Sequence, residues 1–179
     1  MHCHLPALAL LCFLASCATS HAPIDFDLTY WRFDGKLSIQ EGGSSRVVKI
    51  DWQQRGDSSD IRLNGPLGIG EVHIRAIGNR LVIDTGRNSQ VYPLDKDLVI
   101  EGHSFMLPWK RLTYWVQGFQ GPDMTPIEGA FLQDNWSVSI LDSDNTGPIL
   151  IALHHPDVRL RLKVLRWQRG SAKRAANKI

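Results

Sequence analysis

The stretch Val158-Arg159-Leu160-Arg161-Leu162-Lys163-Val164 alternates apolar and basic residues without a break. A period of two places Val158, Leu160, Leu162 and Val164 on one face of an extended chain and the three cations on the other. That is the pattern of a half-buried β-strand. The same period recurs upstream. Val48, Ile50 and Trp52 alternate with Lys49 and Asp51, and Val72, Ile74 and Ala76 with Glu71, His73 and Arg75. Trp136, Val138 and Ile140 alternate with Ser137 and Ser139. Turn chemistry punctuates these runs at Glu41-Gly42-Gly43-Ser44, Arg55-Gly56-Asp57-Ser58, Ile77-Gly78-Asn79, Thr85-Gly86-Arg87-Asn88 and Asp144-Asn145-Thr146-Gly147. Short strands, tight turns and one apolar face predict a mainly β protein. Strand lengths and spacings suit an antiparallel sheet that curls on itself, apolar inside and polar outside.

Residues 94–119 depart from that period. Leu98 and Val99, then Leu112, Trp115 and Val116, follow helical spacing, which predicts two short helices. Pro108 precedes the second, where a missing N–H costs little, and Gly118 follows its last turn as a C-cap. Each helix has an apolar stripe to bury, and the open mouth of the curled sheet is the available place. The helices are therefore expected to form a short lid.

The chain of 179 residues, 43% hydrophobic and 21% charged, is ordinary globular material and fits one core. Its formal charge is only +2, and Arg169, Lys173, Arg174 and Lys178 sit in an acid-free stretch, so the rest carries no basic excess. Binding to nucleic acid by phosphate neutralisation is not expected.

Residues 1–16 contain no Asp, Glu, Lys or Arg, and residues 5–13 are almost continuously apolar. Such a run is too short for a bilayer-spanning helix of about 20 residues, but it has the length of a signal-peptide core. Leu14-Ala15-Ser16-Cys17 then resembles the lipobox of bacterial lipoproteins. Small residues suit the peptidase cleft, and the Cys17 thiol accepts a diacylglycerol before cleavage frees its amine for a further acyl chain. Cys3 and Cys12 would leave with the peptide, so the mature chain keeps one cysteine, at its own N-terminus. Ala18, rather than Asp, at the second mature position implies sorting to the outer membrane by analogy with that class. The n-region Met1-His2-Cys3-His4 departs from the pattern in having no Lys or Arg. The expected organisation is a cleaved signal peptide at 1–16, a lipidated tether at 17–30, a folded domain at 31–168 and a basic tail at 169–179.

No reagent for catalysis stands out. His154 and His155 are adjacent on a strand and point to opposite faces, so they cannot share one metal ion. Gly65-Pro66-Leu67-Gly68-Ile69-Gly70 lacks the Gly-Lys-Ser/Thr of a phosphate-binding loop, and Gly102-His103-Ser104 only superficially resembles a nucleophile elbow. A tethered hydrolase would need a cluster the sequence does not display. Six Trp in a small β body, Trp52, Trp115 and Trp136 among them, allow either a filled aromatic core or a dry cavity under the lid. Pro66 and Gly68 set a turn with Leu67 at its tip, either folded back as a loop anchor or exposed to a bilayer or partner.

Several segments occur together in one order: the lipobox, Gly35-Lys36-Leu37-Ser38-Ile39, Trp52-Gln53-Gln54-Arg55-Gly56, Arg62-Leu63-Asn64-Gly65-Pro66-Leu67-Gly68, and Leu107-Pro108 followed by Leu112, Trp115, Val116 and Gly118. With Trp136-Ser137-Val138 and the closing strand through Trp167, the chain resembles the LolB family of outer-membrane lipoprotein receptors. The resemblance implies an incomplete, strongly curled antiparallel β-barrel with a short helical lid, which takes acylated lipoproteins from the carrier LolA and inserts them into the outer membrane. It implies a membrane-inserting loop at Pro66, Leu67 and Gly68, and an acyl-chain cavity at Trp52, Leu112, Trp115, Val116 and Trp136. It further implies a monomer on the inner leaflet of the outer membrane, facing the periplasm, with no metal, no catalytic residue and no cofactor beyond the acyl groups on Cys17. Residues 17–35 are shorter than is usual in the family, so the first lid helix is expected to be curtailed. An alternative is an envelope-assembly lipoprotein that binds a protein or lipid partner without acyl transfer.

Overall fold

The computed structural model describes residues 30–65, 70–94, 98–99 and 106–170. The signal peptide, Cys17 and its tether up to residue 29, the loop 66–69 and the tail from residue 171 lie outside the described residues. In chain order the elements are β1 (Tyr30–Glu41), β2 (Ser44–Arg55), β3 (Ser58–Asn64), β4 (Glu71–Ile77), β5 (Arg80–Asp84), β6 (Ser89–Pro93), β7 (Leu98–Val99), β8 (Met106–Leu107), α1 (Trp109–Trp115), β9 (Ala130–Gln133), β10 (Trp136–Asp144), β11 (Gly147–His154) and β12 (Val158–Arg169).

Ten strands form one antiparallel sheet in the order β6-β5-β4-β3-β2-β1-β12-β11-β10-β9. Two meanders, β1–β6 and β9–β12, are joined by the pairing of the first strand with the last. The outer strands β6 and β9 do not pair with each other, so the barrel stays open, as the resemblance implies. Register carries one inward row across the sheet: Trp167, Phe33, Trp52, Ile61, Ile74 and Ile83 are successive cross-strand neighbours. Such cross-strand pairs are the units of sheet stability.

A bulge sets the phase of β12. Asp34 faces Arg166 while Gly35 faces Val164, leaving Leu165 as the extra residue. Without it the alternation of residues 158–164 would continue and turn Trp167 to solvent. With it Leu165 is 56% exposed and Trp167 only 8%. Gly35 is what lets the strands close over this point: a Cβ there would lie 2.5 Å from the Lys163 carbonyl oxygen. Trp31, Phe33, Trp52 and Trp167 then pack as one cluster, with ring centroids 5.0–6.0 Å apart.

Two expectations need correction. Leu98 and Val99 do not begin a helix. They form β7, paired with Met106 and Leu107. Two adjacent apolar residues without a further turn of helical periodicity fit a short ladder equally well. The helix expected around Leu112 and Trp115 does form, as the single α-helix among the described residues. The Pro108 carbonyl accepts from the Arg111 and Leu112 N–H groups, and Gly118, at φ +91°, ends the turn with its N–H on the Trp115 carbonyl. Arg169, read as the start of the tail, is the last residue of β12. Its guanidinium stacks on Trp167 at 4.4 Å, and its Nε donates to the Thr146 carbonyl at 2.8 Å. Burial pushes Arg169 down to about 10, which leaves it charged at neutral pH.

Candidate functional site: an aliphatic cavity inside the half-barrel

In a meander, successive turns fall at alternate ends. One end carries the β1–β2 turn at residues 42–43, the 65–70 connection and the 85–88 turn. The other carries the β2–β3 and β4–β5 turns. Helix α1 lies over this second end: Trp109, Lys110, Thr113 and Tyr114 share a cleft with Gly56, Asp57 and Gly78. The helix is held on the sheet by Trp109, stacked on Trp52 with centroids 5.8 Å apart, and by the buried Leu112 and Trp115. Gln117 adds a bond from the Arg169 guanidinium at 3.4 Å.

Between helix and sheet is a cavity of about 560 Å³. Its walls are aliphatic side chains from β1 to β5 and from β11 and β12, Ile50, Ile61, Ile74 and Leu162 among them, and Trp52 and Trp109 lie at the helical end. Among the described residues Arg46 is the only charged one in the lining; it, Thr85 and Asn88 are exposed and mark where the cavity meets solvent. That mouth lies at the end where Gly65 and Gly70 flank the loop 66–69; the Gly65 N–H donates to the Gly70 carbonyl at 3.4 Å. A concave, aliphatic-walled space of this size suits a flexible apolar ligand and offers little to a polar one.

Local hydrogen bonds position the deep end. Gln54, buried beside Trp52, accepts from the Trp52 indole N–H at 3.3 Å and from the Ser59 hydroxyl at 2.5 Å. Its amide donates to the Gly56 carbonyl at 2.7 Å. The Trp-Gln-Gln-Arg-Gly segment thus fixes one cavity tryptophan through a turn that is two residues away.

Of the residues expected at an acyl cavity, Trp52, Leu112 and Val116 line it together. Trp115 and Trp136 are fully buried but outside the lining. Trp115 packs edge-on to Phe131, and Trp136 lies against His155. Cys17 and the loop residues Pro66, Leu67 and Gly68 lie outside the described residues. Sequence reasoning missed Trp109, Gln54 and Arg46. Trp109 had a signal, an aromatic three residues before Leu112 on the same helical stripe; Gln54 had one too, since the period of two that sets Ile50 and Trp52 inward sets it inward as well. The filled-core and hollow readings turn out to be partly combined: Trp31, Phe33 and Trp167 fill the deep end while the aliphatic rows stand around open space.

His154 points outward and accepts from the Arg159 Nε at 3.3 Å, whereas His155 faces Trp136 and Asp157. Among the described residues no group of three His, Cys, Asp or Glu side chains is placed to hold a metal ion, and no helix is long and apolar enough to cross a membrane.

The family model described as outer membrane lipoprotein LolB matches residues 29–167. The outer-membrane lipoprotein LolB of Pseudomonas fluorescens Pf0-1 is 32% identical over 151 residues, covering 77% of this chain and 74% of that protein. The protein of the same name from Francisella tularensis SCHU S4 is 24% identical over 192 residues, covering 92% of this chain and 93% of its own. Among solved structures, a LolA-superfamily protein from Nitrosomonas europaea superposes with a TM-score of 0.51 at 10% identity, over 86% of this chain and 92% of that one, a likeness of fold.

Proposed function

The chain belongs to the LolB family, and from that premise we propose that it is a lipid-anchored receptor that passes acylated lipoproteins into the outer membrane. Cys17, carrying the acyl groups, holds the protein to the inner leaflet with the half-barrel facing the periplasm. A single acyl chain gives only marginal anchoring and several give a stable one. A LolA-like carrier presents its cargo at the open mouth, and the cargo's acyl chains enter the cavity. Leu67, on the loop between Gly65 and Gly70, enters the bilayer and provides a continuous apolar route out. The transfer needs no catalytic residue and no cofactor. Its direction follows from rising affinity for acyl chains along carrier, receptor and bilayer, since a ligand redistributes only by differential binding.

The observation that supports this most is the aliphatic cavity, open at the end where the Leu67 loop leaves the sheet. Every methylene moved from water into such a space gains about 0.8 kcal/mol. The test mixes cargo-loaded carrier with outer-membrane vesicles and reads cargo arriving in the vesicles. The Leu67→Glu variant is expected to bind a fatty-acyl ligand as tightly as the unaltered protein yet leave cargo undelivered. Delivery at the unaltered rate removes the role of Leu67. A receptor that shows no saturable acyl binding removes the reading as a whole.

A further inference from the structure

The convex face of β1, β2 and β12 carries an unbalanced block of positive charge. Register aligns Lys163, Lys36 and Lys49 in one row, with Lys36 opposite both others. The next row toward the cavity mouth holds Arg161, Ser38 and Val47, and the one after it Arg159, Gln40 and Ser45. All five cations are exposed. Like charges directly opposite across an antiparallel pair are destabilising, so sheet stability does not account for a lysine between two lysines.

The neighbouring row away from the mouth is balanced: Arg166 pairs with Asp34 at 3.3 Å, and the Arg32 Nε donates to Asp51 at 3.2 Å. Among the described residues, Lys36, Lys49, Lys163 and Arg161 enter no ion pair. Lys36, Lys163 and Arg161 line one shallow groove, in which Asp142 is the one acid among the described residues. Two aliphatic side chains stand out among the cations: Val47, 48% exposed, and Leu165, 56% exposed at the bulge.

We propose that this face binds the anionic phospholipid headgroups of the membrane that holds the lipid anchor, laying the half-barrel on its β1–β2–β12 wall with the mouth at the bilayer surface. The inference rests on anchoring at Cys17 as described above. Basic side chains with interspersed aliphatics match an anionic headgroup layer, whose attraction for each cation acts within a Debye length.

Chain length favours the same pose. Tyr30 starts β1 at the end opposite the mouth, about 36 Å from Glu41 at the strand rise per residue. From Cys17 to Tyr30 the chain reaches at most ~45 Å fully extended. A half-barrel standing upright on its mouth would hold Tyr30 a strand length above the headgroups and pull the tether nearly straight, at a cost in chain entropy. Lying on its basic wall, the protein puts β1 itself against the surface and leaves the tether slack.

The test reconstitutes the full lipidated protein in vesicles of phosphatidylcholine, alone or with phosphatidylglycerol. Lysine reactivity toward an amine-directed reagent is then read residue by residue by mass spectrometry. Lys36, Lys49 and Lys163 are expected to react several-fold more slowly in the anionic vesicles, and high salt should remove the protection. Lys110, exposed on α1 at the far end, should react equally in both. Equal reactivity of the three lysines in the two vesicles overturns the proposal. So does protection that arises only when soluble acidic carrier protein is added, which would make the face a protein dock.

A second variant, Lys36→Gln with Lys49→Gln and Lys163→Gln, removes like-charge repulsion and keeps the strands. In it, slowed amide exchange of β1 on anionic vesicles should disappear while delivery of cargo into neutral vesicles continues. Loss of delivery by the unaltered protein, with lysine protection intact, would count against the receptor reading and leave this inference standing.

Discussion

Ile74 sits in the middle of the inward row, between Ile61 and Ile83, and lines the cavity. Ile74→Phe adds about three apolar carbons, which extend into existing open space and displace a similar length of acyl chain. At ~0.8 kcal/mol per methylene, or about four-fold in affinity, the substitution should weaken fatty-acyl binding by about 50-fold. Ile74→Trp should go further. Neither should unfold the protein, because filling a void differs from forcing bulk into a packed core. The assay is displacement of an environment-sensitive apolar dye by a fatty-acyl ligand, with a denaturant titration of each variant alongside. Ile74→Ala is the reciprocal case: because Ile74 is only partly buried, it should cost at most ~2 kcal/mol of stability and leave acyl affinity close to its original value. If Ile74→Phe stays folded and binds within about two-fold of the unaltered protein, less than one methylene's worth, acyl chains do not occupy this space and the reasoning fails.

Gly35→Ala would bring a methyl group within 2.5 Å of the Lys163 carbonyl oxygen, where backbone must move. A loss of ~1–3 kcal/mol is expected in chemical denaturation, with a return of stability if Leu165 is deleted, because that removes the bulge while keeping Gly35 opposite Val164 and Phe33 opposite Trp167. Gln54→Leu would leave the Trp52 indole N–H and the Ser59 hydroxyl without their buried acceptor. It should cost ~1–3 kcal/mol in stability and shift tryptophan emission, while Gln53→Leu, on the opposite face of β2, should do neither.

The architecture was legible where the period was clean. Alternation in β2, β4, β10 and β12 reported the inward face correctly up to Val164, because one buried face forces a strict phase. It could not report the bulge: Leu165 looks like another core residue, and only the pairing of Gly35 with Val164 reveals that it is the one set outside. The helix at residues 109–115 was visible in Leu112, Trp115 and Val116, since three apolar positions define a stripe. Leu98 and Val99 define none, and a ladder of two residues is shorter than any pattern can resolve.

The cavity was the least legible feature. Inward Ile and Leu alternate identically whether a curled sheet closes around side chains or around space, and the difference lies in sheet curvature and in which rows the helix covers. Trp52 and Trp136 follow the same inward pattern, yet α1 docks over Trp52 and leaves Trp136 walled off by His155. Arg46 and the three lysines of the convex face likewise acquire meaning only from register, which sets Arg46 at a mouth and the lysines side by side.

The central claim is that acyl chains of a cargo pass through this cavity on their way to the bilayer. The direct measurement is quenching of tryptophan fluorescence by a lipoprotein whose acyl chains carry bromine, handed over from its carrier in the absence of vesicles. Trp52 and Trp109 line the cavity and should be quenched, whereas Trp115 and Trp136 should not. Replacing Trp52 and Trp109 with Phe should then remove most of the quenching and leave transfer measurable. Subsequent delivery to membrane should restore the emission of the unaltered protein. Cargo that reaches the membrane through the receptor without ever quenching Trp52 or Trp109 would contradict the account.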